Sequence, residues 1–214
     1  MKIKLSNAGR RFNREWIFRR ASLEFNTSKA YAITGANGSG KSTLLQCIST
    51  MLQLSEGNIS FSIKEKPLDI EDAYRHISFC APYLDLIEEM TLVEFLNFHG
   101  AFKPYLPEIN TQKIIEILGL HAAAHKQIRH FSSGMKQRVK LAQAIFSDTA
   151  VLLLDEPCSN LDSTGIALYH TLMEDYGKNR IIIVCSNDEV EYNFCDERIP
   201  ITAFKQSAIS STNI

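Results

Sequence analysis

The sequence predicts an α/β fold around a mostly parallel central sheet. Short, wholly apolar segments alternate with stretches of helical periodicity: VLLL (151–154) precedes a helical stretch near 163–176, and RIIIVC (180–185) follows it. Strands buried on both faces read as continuous apolar runs, which is typical of parallel sheets. The length of 214 residues, with 45% hydrophobic and 22% charged residues, suits a single globular domain over residues 1–214.

The first half of the chain shows the same alternation. KAYAIT (29–34) reads as a strand that leads into a glycine-rich loop. The segment 42–52 has apolar residues at helical spacing, which predicts a helix directly after that loop. EGNISFSI (56–63) reads as a turn followed by an edge strand.

The middle of the chain is helical in pattern. Thr91 is the predicted N-cap of a helix over LVEFLNFHGAF (92–102), and another helix is predicted over INTQKIIEILGL (109–120). These helices, at approximately 85–145, lie between two α/β portions. They therefore predict an inserted helical subdomain.

The overall charge does not indicate a nucleic-acid partner, because the net charge is −1 and the sequence pI is about 6.6. The local exception is an arginine-rich stretch made of Arg10, Arg11, Arg14, Arg19 and Arg20. A solvated hairpin face is the favoured interpretation of this stretch, and a membrane or nucleic-acid patch is the alternative.

The five cysteines form no C-x-x-C pair, which predicts small buried apolar residues in a reducing compartment. The N-terminal MKIKLSNAG lacks the apolar core of a signal peptide. The longest apolar runs, AVLLL and IIIVC, are too short to cross a bilayer. These observations predict a soluble, cytoplasmic protein.

The segment GANGSGKS (35–42) fits the phosphate-loop pattern G-x-x-x-x-G-K-[ST] between a predicted strand and a predicted helix. Its glycines allow backbone N–H groups to surround a phosphate. Lys41 is predicted to reach the β- and γ-phosphates, Ser42 to ligate Mg²⁺ and Thr43 to support the α-phosphate. The alternative is a glycine-rich turn without a ligand. The predicted nucleotide-binding residues of this loop are Gly35, Ala36, Asn37, Gly38, Ser39, Gly40, Lys41, Ser42 and Thr43.

The segment VLLLDEP (151–157) places two acidic residues at the carboxyl end of a buried strand, where ligands bind in open α/β sheets. Asp155 is predicted to bind Mg²⁺ through water, and Glu156 to polarise a water that attacks the γ-phosphate. The alternative is a pair of acids that only caps a loop.

The motifs together resemble the nucleotide-binding subunit of an ABC (ATP-binding cassette) transporter. The segments that carry the resemblance are 35–43, 131–138 and 151–162. FSSGMKQR resembles the ABC signature motif, with Ser133 where glycine is usual and Met135 where glutamine is usual. SNLD (159–162) resembles the loop that follows the catalytic glutamate. The signature discriminates best, because many unrelated NTPases share the phosphate loop.

The resemblance implies a P-loop NTPase fold with an N-terminal antiparallel β portion, and ATP and Mg²⁺ as cofactors. It also implies two subunits paired head to tail, as a homodimer or a heterodimer. Each signature then closes over the ATP on the partner's phosphate loop, with Ser132, Ser133, Gly134 and Met135 as the contacting residues. Hydrolysis releases this contact, which makes the nucleotide state a mechanical switch.

Two further positions, outside the signature, depart from the family pattern. Pro82 stands where the family places a glutamine near Mg²⁺, and proline has no side-chain hydrogen-bonding group. Tyr83 and Leu84 beside it could instead anchor a membrane partner. Asn187, a predicted catalytic residue, stands where the family places a histidine that contacts the γ-phosphate. Either Asn187 positions the phosphate, or it only caps a helix beginning near Asp188.

The adenine site is predicted near the N-terminus, where the family stacks the base on an aromatic residue. Phe12 lies at the corresponding position, with Trp16 nearby. The alternative interpretation is an aromatic residue buried in a strand.

These features predict an ATP-binding and ATP-hydrolysing subunit that drives transport through a separate integral membrane permease, at the inner face of the membrane. Two alternatives stay open: a non-transport ABC ATPase that acts as an assembly or repair clamp, and a weakly hydrolysing regulatory module. Pro82 and Asn187 favour the regulatory module or slow hydrolysis, whereas Glu156 argues against a module that does not hydrolyse.

Overall fold

The computed structural model describes residues 1–205, and these fold into two sheets flanked by α-helices. The strands are β1 (Lys2–Phe12), β2 (Glu15–Asn26), β3 (Lys29–Thr34), β4 (Glu56–Ile63), β5 (Lys66–Leu68), β6 (Ile77–Cys80), β7 (Val151–Asp155), β8 (Ile181–Ser186) and β9 (Glu197–Pro200). The helices are α1 (Lys41–Ile48), α2 (Leu92–Phe102), α3 (Thr111–Ile117), α4 (Ser133–Ile145) and α5 (Ser163–Tyr176). Residues 206–214 of the predicted domain lie outside the described residues.

The first sheet is antiparallel and has the strand order β2-β1-β4-β5. Strands β1 and β2 form a hairpin in which Lys2 pairs with Asn26 and Phe12 with Glu15. This sheet confirms the N-terminal antiparallel portion. The prediction that β4 is an edge strand is wrong, because the three-residue strand β5 pairs with its outer side. The sequence signal of so short a strand is too weak to find in advance.

The second sheet confirms the predicted parallel sheet, since each pair in the order β6-β7-β8-β3-β9 is parallel. Its strand β7 is buried along its whole length. Leu152 and Leu154 pack into a core with helices α2 to α5, whereas Val151 and Leu153 pack into a second core with α1 and the antiparallel sheet. Because successive side chains point to opposite faces, a strand between two cores needs the apolar run found in the sequence.

The carboxyl ends of these parallel strands meet at one edge of the sheet. Thr34, which precedes the glycine-rich loop, pairs with Ser186, and Asp155 pairs with Cys185. Strand β6 ends beside β7, with Cys80 opposite Leu154. The sheet register therefore brings the phosphate loop, the acidic pair, the Pro82 turn and Asn187 to the same edge.

Two predicted helices end earlier in the structure than in the sequence interpretation. Helix α1 stops at Ile48 instead of residue 52, and Thr50 adopts a left-handed conformation with φ of 67°. Helix α3 stops at Ile117 instead of residue 120, close to Gly119 with φ of 67°. Left-handed residues terminate helices, and such a stop is not visible in the spacing of apolar residues.

The helical region between β6 and β7 has well-defined starts. Thr91 caps α2 as predicted and forms a capping box with Glu94, in which each side chain bonds the backbone N–H of the other residue. Asn110 caps α3 through its side-chain oxygen. The division of this region into a separate subdomain stays a prediction. Within residues 1–205, no helix combines the length and apolar character that a membrane span requires.

Candidate functional site

The glycine-rich loop between β3 and α1 is shaped by backbone conformations that favour glycine. Gly40 has φ of 104°, and a Cβ atom at this position would lie only 2.5 Å from Cγ2 of Ile17. Gly38 has φ of 71°, and a Cβ atom there would meet open space. Gly40 is therefore needed to pack the loop against β2, and Gly38 is needed to make the left-handed turn of the loop.

A cavity of about 190 Å³ lies inside this loop, and its walls are Ile17, residues 37–43 and Glu156. The cavity is smaller than the roughly 300–1,000 Å³ of sites that enclose drug-sized ligands. It suits phosphate groups and leaves a nucleoside outside. Glu156 thus faces the predicted nucleotide-binding residues across the cavity, as the sequence motifs require. Ile17 is a lining residue that the motif pattern does not reveal.

Lys41 is buried at the start of α1, with 4% of its surface exposed. Its Nζ donates hydrogen bonds to the carbonyl oxygens of Gly35 at 2.8 Å and Ala36 at 3.2 Å. Carbonyl oxygens of the loop thus hold the ammonium group, which can exchange these neutral partners for phosphate oxygens.

Asp155 ends β7 and is 2% exposed, and its Oδ1 has no hydrogen-bond partner among the described residues. The pKa of this carboxyl group is raised, chiefly by burial and also by the neighbouring Glu156. Ser42, Lys41 and Tyr83 offset part of this rise. Buried carboxylate oxygens are rarely left without a partner. A cation that takes oxygen ligands would supply one, so the pair of Ser42 and Asp155 fits Mg²⁺.

The protein alone offers few ligands for such a cation. No group of three or more His, Cys, Asp or Glu side chains that could hold a metal occurs in residues 1–205. Magnesium commonly binds through one or two protein ligands together with substrate phosphates and water. The arrangement therefore fits a metal that arrives with a nucleotide.

Glu156 occupies a strained backbone position, with φ of 43°. Its N–H donates to the carbonyl oxygen of Cys185 in β8 at 2.9 Å. The loop beyond it is held by the buried Gln137, whose Nε2 donates to the Pro157 carbonyl at 2.7 Å, and by Glu191, which accepts from the Cys158 N–H at 2.7 Å. Strained positions persist where the surroundings fix them, and they cluster at active sites.

Gln137 and Glu191 were not found by sequence reasoning. Gln137 lies within the signature segment and is buried on the inner face of α4. A polar residue among the apolar positions of a helix is a signal that the sequence contains. Glu191 is buried, and burial raises the pKa of its carboxyl group. Its long-range contact with Cys158 has no local sequence signature.

The turn after β6 places Pro82 and Tyr83 near the acidic pair. Lys140 of α4 donates from Nζ to the Pro82 carbonyl oxygen at 2.7 Å. Burial raises the pKa of Tyr83 to about 12. Tyr83 is also 47% exposed, so its assignment as an anchor for a membrane partner stays a prediction.

Asn187 follows β8 directly and is exposed. The predicted alternative that Asn187 caps the next helix is wrong, because Asp188 is the cap of the short turn at Glu189–Glu191 and accepts from the Val190 N–H at 3.0 Å. The Asn187 side chain makes no hydrogen bond to any residue in the described range 1–205. Its predicted role at the γ-phosphate stays a prediction.

The signature residues lie at the start of α4 and are not part of the cavity wall formed by described residues. Ser132 is the N-cap and its Oγ accepts from the Met135 N–H at 3.2 Å. Ser133 is exposed, and a Cβ atom on Gly134 would lie 3.1 Å from the carbonyl oxygen of Asn160. The signature therefore packs on the SNLD loop of its own chain and does not line the cavity of its own phosphate loop.

The region of the predicted adenine site contains aromatic and arginine side chains on the β1–β2 hairpin. Phe12 is 45% exposed, so the interpretation as a buried aromatic is wrong for this residue. The Arg10 guanidinium lies 4.7 Å from the Phe12 ring centroid. Trp16 has the guanidinium groups of Arg19 and Arg11 at 4.4 and 5.7 Å from its centroid. Phe12 thus has fewer arginine contacts and is the better candidate for stacking a base.

Comparisons with known proteins agree with these motifs. A sequence model of the ABC transporter family matches residues 18–159, which is more than half of the chain. An uncharacterized ABC transporter ATP-binding protein of Bacillus subtilis is 36% identical over 165 residues, or 76% of this chain and 54% of that protein. The chain thus spans about half the length of this relative. The lipoprotein-releasing system ATP-binding protein of Desulfotalea psychrophila is 31% identical over 181 residues, or 79% of this chain and 80% of that protein.

The fold has solved counterparts as well. A structure described as the dimeric post-hydrolysis state of an ATP-binding cassette, bound to ADP and phosphate, is similar with a TM-score of 0.74 and 22% identity. The similarity covers 93% of this chain and 94% of that one. Sequence and fold therefore agree, and the chain belongs to the ABC transporter family, with the P-loop NTPase fold of its ATP-binding cassettes.

Proposed function

We propose that this chain binds and hydrolyses ATP to drive transport through a separate integral membrane permease. Three features that meet at one sheet edge carry the proposal: a glycine-lined cavity, Glu156 in its wall, and the buried Asp155, whose Oδ1 has no hydrogen-bond partner within residues 1–205. Each group has a role in phosphoryl transfer to water, and a structural role alone explains neither the unpartnered carboxylate oxygen nor the strained glutamate.

In the proposed reaction, the phosphates of ATP occupy the cavity and accept hydrogen bonds from the loop N–H groups. Lys41 exchanges its carbonyl partners for phosphate oxygens. Mg²⁺, held by Ser42 and Asp155, would neutralise part of the phosphate charge. Glu156 accepts a proton from the attacking water as its oxygen bonds to the γ-phosphorus. The bond from that phosphorus to the bridging oxygen breaks, giving ADP and phosphate.

The proposed active state is a head-to-tail dimer, either of two copies or with another nucleotide-binding subunit. Ser132 and Ser133 are exposed at the N-terminal end of a thirteen-residue helix, where an anion is favoured. Since this segment does not line the cavity of its own chain, its γ-phosphate contact would come from the partner's ATP. A solved cassette with a similar fold is described as dimeric, which supports a dimer.

The proposed location is the inner face of the membrane, where the chain would be held by the permease. Relatives of this chain are named as parts of transport systems, including a lipoprotein-releasing system. A permease that binds the dimer can respond to its closure, so that ATP binding and hydrolysis switch the permease between two conformations.

We further propose that hydrolysis is slow. Pro82 offers only its carbonyl oxygen, which already accepts from Lys140. Asn187 is exposed beside the site and provides an amide instead of an ionisable ring. Both differences would weaken the positioning of the water and the γ-phosphate, while Glu156 stays in place.

Phosphate release by the purified chain in Mg-ATP tests this function. The expected result is measurable turnover that the Glu156→Gln variant loses by about 10²–10⁴-fold, with nucleotide binding retained. Glu174→Gln, an exposed acid on α5, serves as the matched control. Nucleotide binding without turnover in the wild type would favour the regulatory alternative, and absence of both would contradict the proposal.

A further inference from the structure

The chain makes a tight turn directly after β7, and Glu156 is the first residue of this turn. The Ser159 N–H donates to the Glu156 carbonyl oxygen at 3.1 Å, which closes the turn with Pro157 and Cys158 at its centre. Proline is common at the first central position of such turns. The two commonest turn types differ by a rotation of the central peptide, which here joins Pro157 to Cys158. Contacts from outside the turn can therefore select the orientation of this peptide.

Two buried side chains from different elements bond this one peptide. Gln137 of α4 is 2% exposed, and its Nε2 donates to the Pro157 carbonyl oxygen at 2.7 Å. Glu191, in the short turn after β8, is 5% exposed, and its Oε1 accepts from the Cys158 N–H at 2.7 Å. Residues 1–205 contain no cis peptide bond. Because the C=O and N–H groups of a planar trans peptide point in opposite directions, the two side chains hold the peptide from opposite sides.

The backbone of Glu191 is itself fixed by its surroundings. Its N–H donates to the Asp188 carbonyl oxygen at 3.1 Å. Its carbonyl oxygen accepts from the hydroxyl of the buried Tyr169 of α5 at 2.8 Å. Where a buried backbone group loses its partner, the unsatisfied group is costly. The hydrogen bond to Cys158 therefore comes from a residue with little freedom to move.

We propose that Gln137 and Glu191 are a pair of positioning residues, because together they fix the peptide between Pro157 and Cys158 and thereby hold the strained Glu156 in the wall of the phosphate cavity. Glu156 has φ of 43° and lines this cavity. A strained backbone conformation persists only where its surroundings determine it. The inference rests on the proposed function, in which Glu156 accepts the proton of the attacking water.

Amide hydrogen exchange in the nucleotide-free protein tests the structural part of the proposal. Glu191→Leu removes the acceptor of the Cys158 N–H, and exchange of this amide should accelerate about tenfold or more. Gln137→Leu should also accelerate it, although Gln137 bonds the opposite side of the peptide, because the released peptide can rotate. The amide of Leu153 in the buried strand β7 reports global unfolding and should stay unchanged. Glu189→Leu, at an exposed acid of the same short turn, is the matched control.

Turnover in Mg-ATP tests the positioning role. Glu191→Leu and Gln137→Leu should each lower kcat about tenfold or more, because a small misplacement of a reacting group is costly. Their ATP affinity should stay unchanged, and Glu191→Gln, which keeps an acceptor oxygen, should retain most of the activity. The double leucine variant should be no slower than the slower single variant, because both side chains act on the same peptide. Independent effects would instead multiply.

Each outcome supports or overturns the pair. Unchanged Cys158 exchange in Gln137→Leu, or faster exchange with unchanged kcat, would overturn the positioning role, as would multiplied effects in the double variant. A wild type that binds ATP without turnover would contradict the proposed function instead, and the exchange measurement would still decide whether the peptide is held. If a leucine variant does not fold, Glu191→Asp and Gln137→Asn shorten the same side chains and should give the same pattern with smaller effects.

Discussion

The phosphate loop and the signature segment both present a helix N-terminus, yet they differ in how complete they are. The phosphate loop encloses a cavity that Glu156 also lines. The buried Asp155 lies at the same sheet edge, and its Oδ1 has no hydrogen-bond partner within residues 1–205. The signature segment is an exposed helix start whose cap, Ser132, bonds its own backbone. The first region can hold phosphates by itself. The second does not line this cavity, which fits the proposed site shared between two subunits.

The largest effect is expected from substitution of Lys41 in the phosphate loop. Lys41→Ala should weaken ATP binding by at least about tenfold to a hundredfold, because each hydrogen bond to a charged group contributes about 1.5–3 kcal/mol. Nucleotide titration measures this effect, with Lys126→Ala, an exposed lysine remote in sequence, as control. Wild-type affinity in a folded Lys41→Ala variant would remove the phosphate loop from the account.

A substitution in the signature segment should affect turnover and leave binding intact. Ser133→Arg places a large side chain at the exposed first residue of α4, where it would block a partner's nucleotide. We expect phosphate release to fall at least about tenfold, since the loss of one positioned group in an electrostatic site typically costs about 10²-fold or more. ATP affinity at low protein concentration should not change. Ser163→Arg, at the exposed first residue of α5, is the matched control; a similar loss of turnover there would indicate a non-specific effect.

Gln137 connects the helix of the signature segment to the loop that follows Glu156, through its hydrogen bond to the Pro157 carbonyl oxygen. Gln137→Leu leaves the buried Pro157 carbonyl without its donor, which should lower the free energy of unfolding by about 1–3 kcal/mol. Turnover should fall as well, because Glu156 immediately precedes this carbonyl. Chemical denaturation and phosphate release would be compared with those of Gln143→Leu on the same helix. Loss of stability with unchanged turnover would show that the loop does not position Glu156.

The smallest expected effect is at Asn187. Asn187→His should raise turnover modestly, because an imidazole at this exposed strand end could help hold the γ-phosphate and water in line. The gain should be larger together with Pro82→Gln, since residues that act as a unit are non-additive. Steady-state phosphate release is compared with that of Asn193→His. A fall in turnover in Asn187→His would show that the asparagine is itself the working residue.

Sequence reasoning predicted the parts of the fold that depend on local patterns. The runs KAYAIT and STGIALYHTLMEDY match β3 and α5, because apolar periodicity and capping residues are visible in the chain. The helix ends after Ile48 and Ile117 and the short strand β5 were missed, since backbone conformation and pairing at these places depend on tertiary contacts.

The candidate site likewise has residues that the sequence predicts and contacts that it does not predict. Loop and strand-end residues are predictable because the motif fixes their spacing, and the parallel register then brings them together. The contacts made by Gln137 and Glu191 are not predictable by spacing, because both join residues far apart in the chain. The Asn187 capping alternative failed for a local reason: the neighbouring Asp188 is the cap.

The central claim is that the signature segment completes the site of a second subunit. The most direct measurement is the molar mass of the Glu156→Gln variant in solution with and without Mg-ATP. The shared-site account predicts a monomer without nucleotide and a dimer with it, because the γ-phosphate is no longer removed; the added Ser133→Arg substitution should abolish this dimer. A Glu156→Gln protein that binds ATP to saturation and stays monomeric would contradict the account.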